Sequence, residues 1–328
     1  MREDLKNKIP LTCASFMFAL FFAICAQAGS ALAEPLKEIR MGSSNISVTN
    51  VCTYFTRDRH FFEEEGFDVK IIIIKTEATI PALAAGNLDY STLSTSSIEA
   101  TLKGMPLRLL AVTNQYPLLG LVVQDNIKQV LDLKGKKLAV TSFGGATYSA
   151  ALYFLKHYGL KPQQDVAIMA AGTNMARIAA MNQGAIDAVL MSAPDDIRAA
   201  KEGFKILVDA GTFFKLPWGG ISTTVAKIHA KPDEVKKVAR AILRATKFIV
   251  EPRNKDEVIN YLATFFKLDR SSAEEFYRRL VPSLNPAGIV GNDKIKLVID
   301  SAIERGLTDK ALDPEKVVDF SFAKGAGT

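Results

Sequence analysis

Cysteine, tryptophan and histidine are scarce in this chain: of 328 residues only three are Cys, one is Trp and three are His. Two of the cysteines, Cys13 and Cys25, fall in an apolar stretch near the start, so a mature chain cut behind Ala33 keeps Cys52 alone. One thiol cannot build a disulfide framework, and Cys52 beside Val51, Tyr54 and Phe55 reads as a small core residue. The histidines, His60, His157 and His229, lie far apart without the spacing of a metal-binding helix, which argues against a metal centre or histidine-based catalysis. No G-x-S-x-G elbow, P-loop or G-x-G-x-x-G turn occurs, so no cofactor is expected and the chain is not expected to be an enzyme. Nor is there a basic block interleaved with aromatics. The formal charge of +6 is a mild, scattered excess, and nucleic acid is not an expected partner.

The first residues have a pattern of their own. Arg2, Lys6 and Lys8 precede an apolar run from Leu11 to Ala26, and Ala31-Leu32-Ala33 offers small residues at the spacing of a cleavage site. Residues 1–33 are expected to be a cleaved secretory signal, which would make the mature protein an exported one. Thr12, Cys13 and Ser15 weaken the run as a membrane span, and Ile24 is too bulky for the position ahead of a lipidated cysteine. Cleavage removes three bases (Arg2, Lys6, Lys8) and two acids (Glu3, Asp4), taking the charge from +6 to +5.

The stretch from Lys137 to Leu155 organises the remainder. Leu138 to Val140 read as a buried strand, and Ala150, Ala151, Phe154 and Leu155 recur at helical spacing. Between them Thr141 to Thr147 place hydroxyls and glycines at a helix mouth, where free N–H groups and the helix dipole suit an anion or a polar ligand oxygen. Elsewhere strands near 38–41, 67–74, 88–93 and 107–112 alternate with helices near 48–65, 80–85 and 97–103, the pattern of a parallel α/β sheet. Glu63-Glu64-Glu65 reads as a solvated helix end, and Asp195-Asp196 behind Pro194 as a helix cap.

The plan then repeats. Phe67-Asp68-Val69 is echoed by Asp165-Val166, and Gly86-Asn87-Leu88-Asp89 by Gly184-Ala185-Ile186-Asp187, each about 98 residues later. Two α/β lobes on one plan are expected, with residues 34–121 opening the first lobe, 122–222 forming the second and 223–328 returning to the first. The helical tail, with Pro232 at a helix start, has no counterpart between the lobes and is expected to pack on the first.

Ligands in open α/β sheets sit beyond the carboxyl ends of the strands. In the first lobe those ends carry Ser43, Ser44, Asn45, Thr76, Ser94, Thr95, Ser96 and Asn114; in the second they carry Ser142, Gly144, Gly145, Ala146, Thr147, Asn174 and Ser192. These and Trp218, set among Pro217, Gly219 and Gly220 where proline and glycines exclude regular structure, are the candidate ligand contacts. Arg177, one turn into the helix after Asn174, is the nearest cation and a candidate contact for an anion.

Four stretches, Arg59 to Lys70, Leu83 to Asp89, Asp132 to Gly145 and Leu312 to Phe322, together give a specific resemblance. In their order and spacing the chain resembles the periplasmic substrate-binding proteins of ABC importers, in the branch of nitrate, taurine, alkanesulfonate and thiamine-pyrimidine binders. The resemblance implies a type II periplasmic binding protein fold: two α/β lobes joined by two crossing strands, here near 119–123 and 221–225, with the C-terminal helical tail on the first lobe. It implies a monomeric receptor that closes on a small molecule and passes it to an ABC transporter permease. The cysteine-rich segment and reactive histidine of the related pyrimidine-synthesis enzymes have no match here. For the ligand, a sulfonate, carboxylate or nitrate-like ion and an uncharged heterocycle all remain open, as does a sensing role in place of delivery.

Overall fold

The computed structural model describes residues 35–324 other than 45, 142, 144, 145, 214 and 215. The chain forms β1 (Lys37–Ser43), α1 (Val51–Asp58), β2 (Phe67–Ile73), α2 (Thr76–Ala84), β3 (Tyr90–Ser91), α3 (Ser94–Leu102), β4 (Leu107–Asn114) and β5 (Leu119–Val123). It continues through β6 (Lys137–Val140), α4 (Ala146–His157), β7 (Ala167–Ala170), α5 (Asn174–Asn182), β8 (Ala188–Ser192), α6 (Asp195–Lys201), β9 (Lys205–Asp209) and β10 (Gly219–Thr224). The tail is α7 (Val225–Ala230), α8 (Pro232–Val250), α9 (Lys255–Phe266), α10 (Arg270–Ser283) and α11 (Asn292–Glu304). Among these described residues no helix is long and apolar enough to cross a membrane. The expected signal segment lies outside them.

Two five-stranded sheets result, ordered β2-β1-β3-β10-β4 and β7-β6-β8-β5-β9. The fourth strand of each is antiparallel to its neighbours and comes from the far side of a crossing: β5 enters the second sheet and β10 the first. The sequence echo has a matching structural role. Asp89 Oδ2 accepts from the Arg40 amide at 2.7 Å, and Asp187 Oδ2 from the Lys137 amide at 2.9 Å, so each carboxylate anchors the first parallel strand of its sheet, β1 or β6. Gly86 and Gly184, at φ 79° and 68°, make the left-handed turn that leads into each.

In α8, Pro232 at the first turn and Asp233 and Glu234 behind it suit a helix start. Val235, Val238, Ala239, Ile242 and Leu243 recur at helical spacing and are buried against Ile39, Met41, Tyr90, Leu110 and Ile221 of the first sheet. Burial of such a side chain is worth roughly 1.5–3 kcal/mol, and Ile242→Ala would forfeit about 2–5 kcal/mol because a cavity is added to the lost transfer energy. Through α8 the tail packs on the first sheet, while α10 also reaches the second lobe. Arg279 pairs with Asp196 and Asp209, and Lys201 Nζ lies 2.5 Å from Asp269 Oδ2.

Three local expectations are corrected. The helix expected over 48–65 stops at Asp58, and the chain turns through His60 at φ 61° into a short 3-10 turn at Glu63–Glu65. A left-handed residue costs about 1–2 kcal/mol, but the turn lets Phe62 join the core of the first sheet, 1% exposed. Burial of a phenylalanine offsets that cost. Glu65 is not solvated: it is buried and bonded to Arg240, Nε to Oε1 at 2.7 Å. Ser94, Thr95 and Ser96 form the first turn of α3 instead of preceding it.

Candidate ligand-binding cleft

Strand register brings the two connections between the sheets to one end of the strands. Leu119, first in β5, pairs with Ser192, last in β8, and Gly219, first in β10, pairs with Asn114, last in β4. Asp209, the last residue of β9, pairs with Gly120. The described residues of both connecting segments, 115–118 and 210–213 with 216–218, therefore lie at the carboxyl ends of the parallel strands, where open α/β sheets bind ligands. The segments also touch. The Trp218 amide donates to the Asn114 carbonyl at 2.9 Å, and a side chain at Gly211 would overlap the Pro117 carbonyl oxygen.

On the first-lobe wall Ser43 ends β1, buried, and its hydroxyl accepts from Asn50 Nδ2 at 2.7 Å. Ser44 follows it, partly exposed, and Asn45 lies outside the described residues. Thr76 opens α2, partly exposed. Ser94 is buried and its hydroxyl donates to the Trp218 carbonyl at 3.4 Å, while Thr95 and Ser96 are partly exposed on the first turn of α3. Among the described residues no side chain caps that helix. Asn114 is buried; its Oδ1 accepts from the Thr113 hydroxyl at 3.1 Å. Ser94, Asn114 and Trp218 thus meet where the second segment enters the first sheet.

On the second-lobe wall Ser142, Gly144 and Gly145 lie outside the described residues, and Ala146 opens α4. Thr147 is buried and its hydroxyl accepts from the Thr141 amide at 3.0 Å. Ser192 ends β8, partly exposed. Thr173 caps α5 by accepting from the Ala176 amide at 3.2 Å, which sets Asn174 on the first turn. Trp218, partly buried, rests its side chain on the core of the second sheet although its backbone is tied to the first.

Arg177 does not stand in the cleft as a cation for an anionic ligand. It is 2% exposed, donates Nη1–H to the Leu190 carbonyl at 2.9 Å and binds the Asn174 side-chain oxygen through Nη2. Burial lowers its pKa to about 10 against the opposing pull of Asp195. Asn174 also donates to Asp195, which pairs with Arg198. The Asn174 amide is therefore oriented from behind by a buried guanidinium. Asp195 and Asp196 both belong to the first turn of α6, with Pro194 at the cap position; Asp196 turns inward, 0% exposed.

Two exposed side chains at these strand ends were not among the sequence candidates: Phe143, 59% exposed between β6 and α4, and Met175, 75% exposed on the first turn of α5. Their sequence signal is a large apolar residue just behind a polar strand end.

The sequence pattern of the NMT1/THI5-like family matches residues 49–255 of this chain. The chain belongs to that family. Its fold is that of the periplasmic binding proteins. The periplasmic aliphatic sulphonate binding protein SsuA from Escherichia coli superposes with a TM-score of 0.71 at 19% identity, covering 86% of this chain and 92% of its own. The periplasmic nitrate-binding protein NrtA from Synechocystis PCC 6803 gives 0.72 at 16%, covering 89% and 88%. The desulfurization enzyme DSZB gives 0.65 at 14%, covering 88% and 98%. No curated protein sequence matches this member of the NMT1/THI5-like family significantly. At these identities the structural likeness establishes the shared fold, which hosts both binders and an enzyme.

Proposed function

We propose that this protein is an exported, monomeric solute receptor of the periplasm that closes on one small molecule by hinge motion and delivers it to an ABC-type permease. No bond is made or broken in that role. The observation that carries it is the exchange of β5 and β10 between the sheets. The exchange turns the carboxyl ends of both sets of parallel strands toward two touching connecting segments. Two walls joined by two segments that touch are the arrangement of a hinge around a ligand. The ligand contacts are assigned to Ser44, Thr76, Thr95, Ser96, Asn174, Ser192 and Trp218, which are partly exposed at those ends. Ser43, Ser94, Asn114 and Thr147 are buried and shape the walls from behind.

Thermal-shift screening of the mature protein against a library of small organic anions, nitrate and heterocycles tests the reading. A ligand of the native state at 100 times its Kd stabilises by about 2.7 kcal/mol, so at least one member should raise Tm by several degrees. A library without any stabilising member at saturating concentration would overturn it.

A further inference from the structure

The walls of the cleft differ in chemistry. Ser44, Thr76, Thr95 and Ser96 give the first lobe a hydroxyl-rich wall, with the N-terminus of α3 uncapped by any described side chain. The second lobe presents Phe143 and Met175 at the carboxyl ends of β6 and β7, which are adjacent parallel strands. Phe143 is held in place: its ring meets the Tyr148 ring edge-on, 5.5 Å between centroids at 87°, and Tyr148 is packed on the core of the second sheet. Both side chains nonetheless stay largely exposed, at 59% and 75%. Arg177, the one cation on the first two turns of α5, is withdrawn behind Asn174.

An inorganic ion gives no reason for such a wall, since apolar side chains cannot replace its hydration. Large apolar side chains left exposed at the strand ends where open α/β sheets bind ligands mark contact with an apolar surface. We propose that the ligand is an amphipathic organic molecule whose aromatic body lies against Phe143 and Met175 of the second lobe while its polar head faces the hydroxyl wall of the first. This rests on the receptor reading and narrows its ligand class. Phe143 and Met175 are then the residues that set specificity for the body of the ligand, leaving the head to the opposite wall.

The test uses pairs of probes that share a head and differ in body: benzenesulfonate against methanesulfonate, and benzoate against acetate, with nitrate as the bare ion. Calorimetry on the mature protein should give the aromatic member of at least one pair about tenfold or more the affinity of its methyl partner. Phe143→Ser and Met175→Ser, exposed positions whose change leaves the cores intact, should each remove most of that advantage and leave the methyl partner's affinity unchanged. Equal affinities within the pairs, tighter binding of nitrate, or an aromatic preference untouched by both variants would overturn the inference and leave the receptor reading standing. Stabilisation by none of these probes, nor by any member of the library described above, would overturn the receptor reading and this inference with it.

Discussion

Arg279 Nη2 lies 2.8 Å from Asp196 Oδ2, joining the helical tail to a second-lobe carboxylate that is 0% exposed. Arg279 also donates Nε–H to Asp209 Oδ2 at 3.2 Å, so one guanidinium from α10 serves two acids of the second lobe. Burial lifts Asp196 to a pKa of about 6 even with Arg279 beside it.

A pH dependence follows from that lift. The folded pKa is above the unfolded one, so between about pH 4 and pH 6 the native state holds the extra proton and stability falls as pH rises. Asp196→Asn removes this dependence. From pH 4 to pH 7 the variant should gain on the wild type by up to about 3 kcal/mol, since each tenfold difference in proton affinity between the folded and unfolded states is worth about 1.36 kcal/mol. Urea midpoints of both proteins across that range measure it, and a constant difference would refute it.

Glu65 should behave in the opposite sense. Its bond to Arg240, with Arg244 nearby, holds the carboxyl below its ordinary value in spite of burial. A depressed folded pKa contributes stability above the unfolded value, lost as pH falls through the folded one. Glu65→Gln should cost about 2 kcal/mol at pH 7, as for hydrogen bonds to charged groups, and the cost should shrink below pH 4. The same denaturation series, run on this variant, reads it.

Gly211 sits where the two connecting segments touch. A methyl group there would overlap the Pro117 carbonyl oxygen, which as backbone cannot rotate away. Gly211→Ala should destabilise the protein by about 1–3 kcal/mol, the range for overpacking. Because the strain falls on the joint between the lobes, ligand affinity should drop as well. A variant with wild-type Tm and wild-type affinity would show the segments to be freely separable.

Trp218 is the only tryptophan in the chain. Its backbone is tied to Asn114 and Ser94 of the first lobe and its side chain rests on the second-sheet core, so closure should alter the indole environment. Any solute that binds by calorimetry should change the intensity or wavelength of its emission. A saturable ligand that changes neither would place the moving surfaces away from Trp218.

Much of the fold was legible because it depends on local chemistry repeated twice. The pair Asp89 and Asp187 stood out in the sequence as an echo, and the structure gives both the same anchoring bond. The stripe of Val235, Val238 and Ile242 likewise identified a helix with one buried face. Where a residue's neighbour came from far along the chain, the local reading lost its grip. Glu65 looked solvated within its run of glutamates, yet Arg240, 175 positions on, accounts for its burial.

The division within the cleft is similar. Sequence alone determined which loops carry polar groups and glycines, because turn chemistry and strand ends are written in adjacent residues. It also determined the order of strands and helices, through their periodicity. Only the tertiary structure decided which of those groups stay exposed at the carboxyl ends of the strands. Ser43, Ser94, Asn114 and Thr147 are withdrawn to internal partners, Arg177 is turned behind Asn174, and Phe143 and Met175 are left at the surface. The reason is that exposure is set by what packs over a residue, and that is supplied by segments the local sequence does not contain.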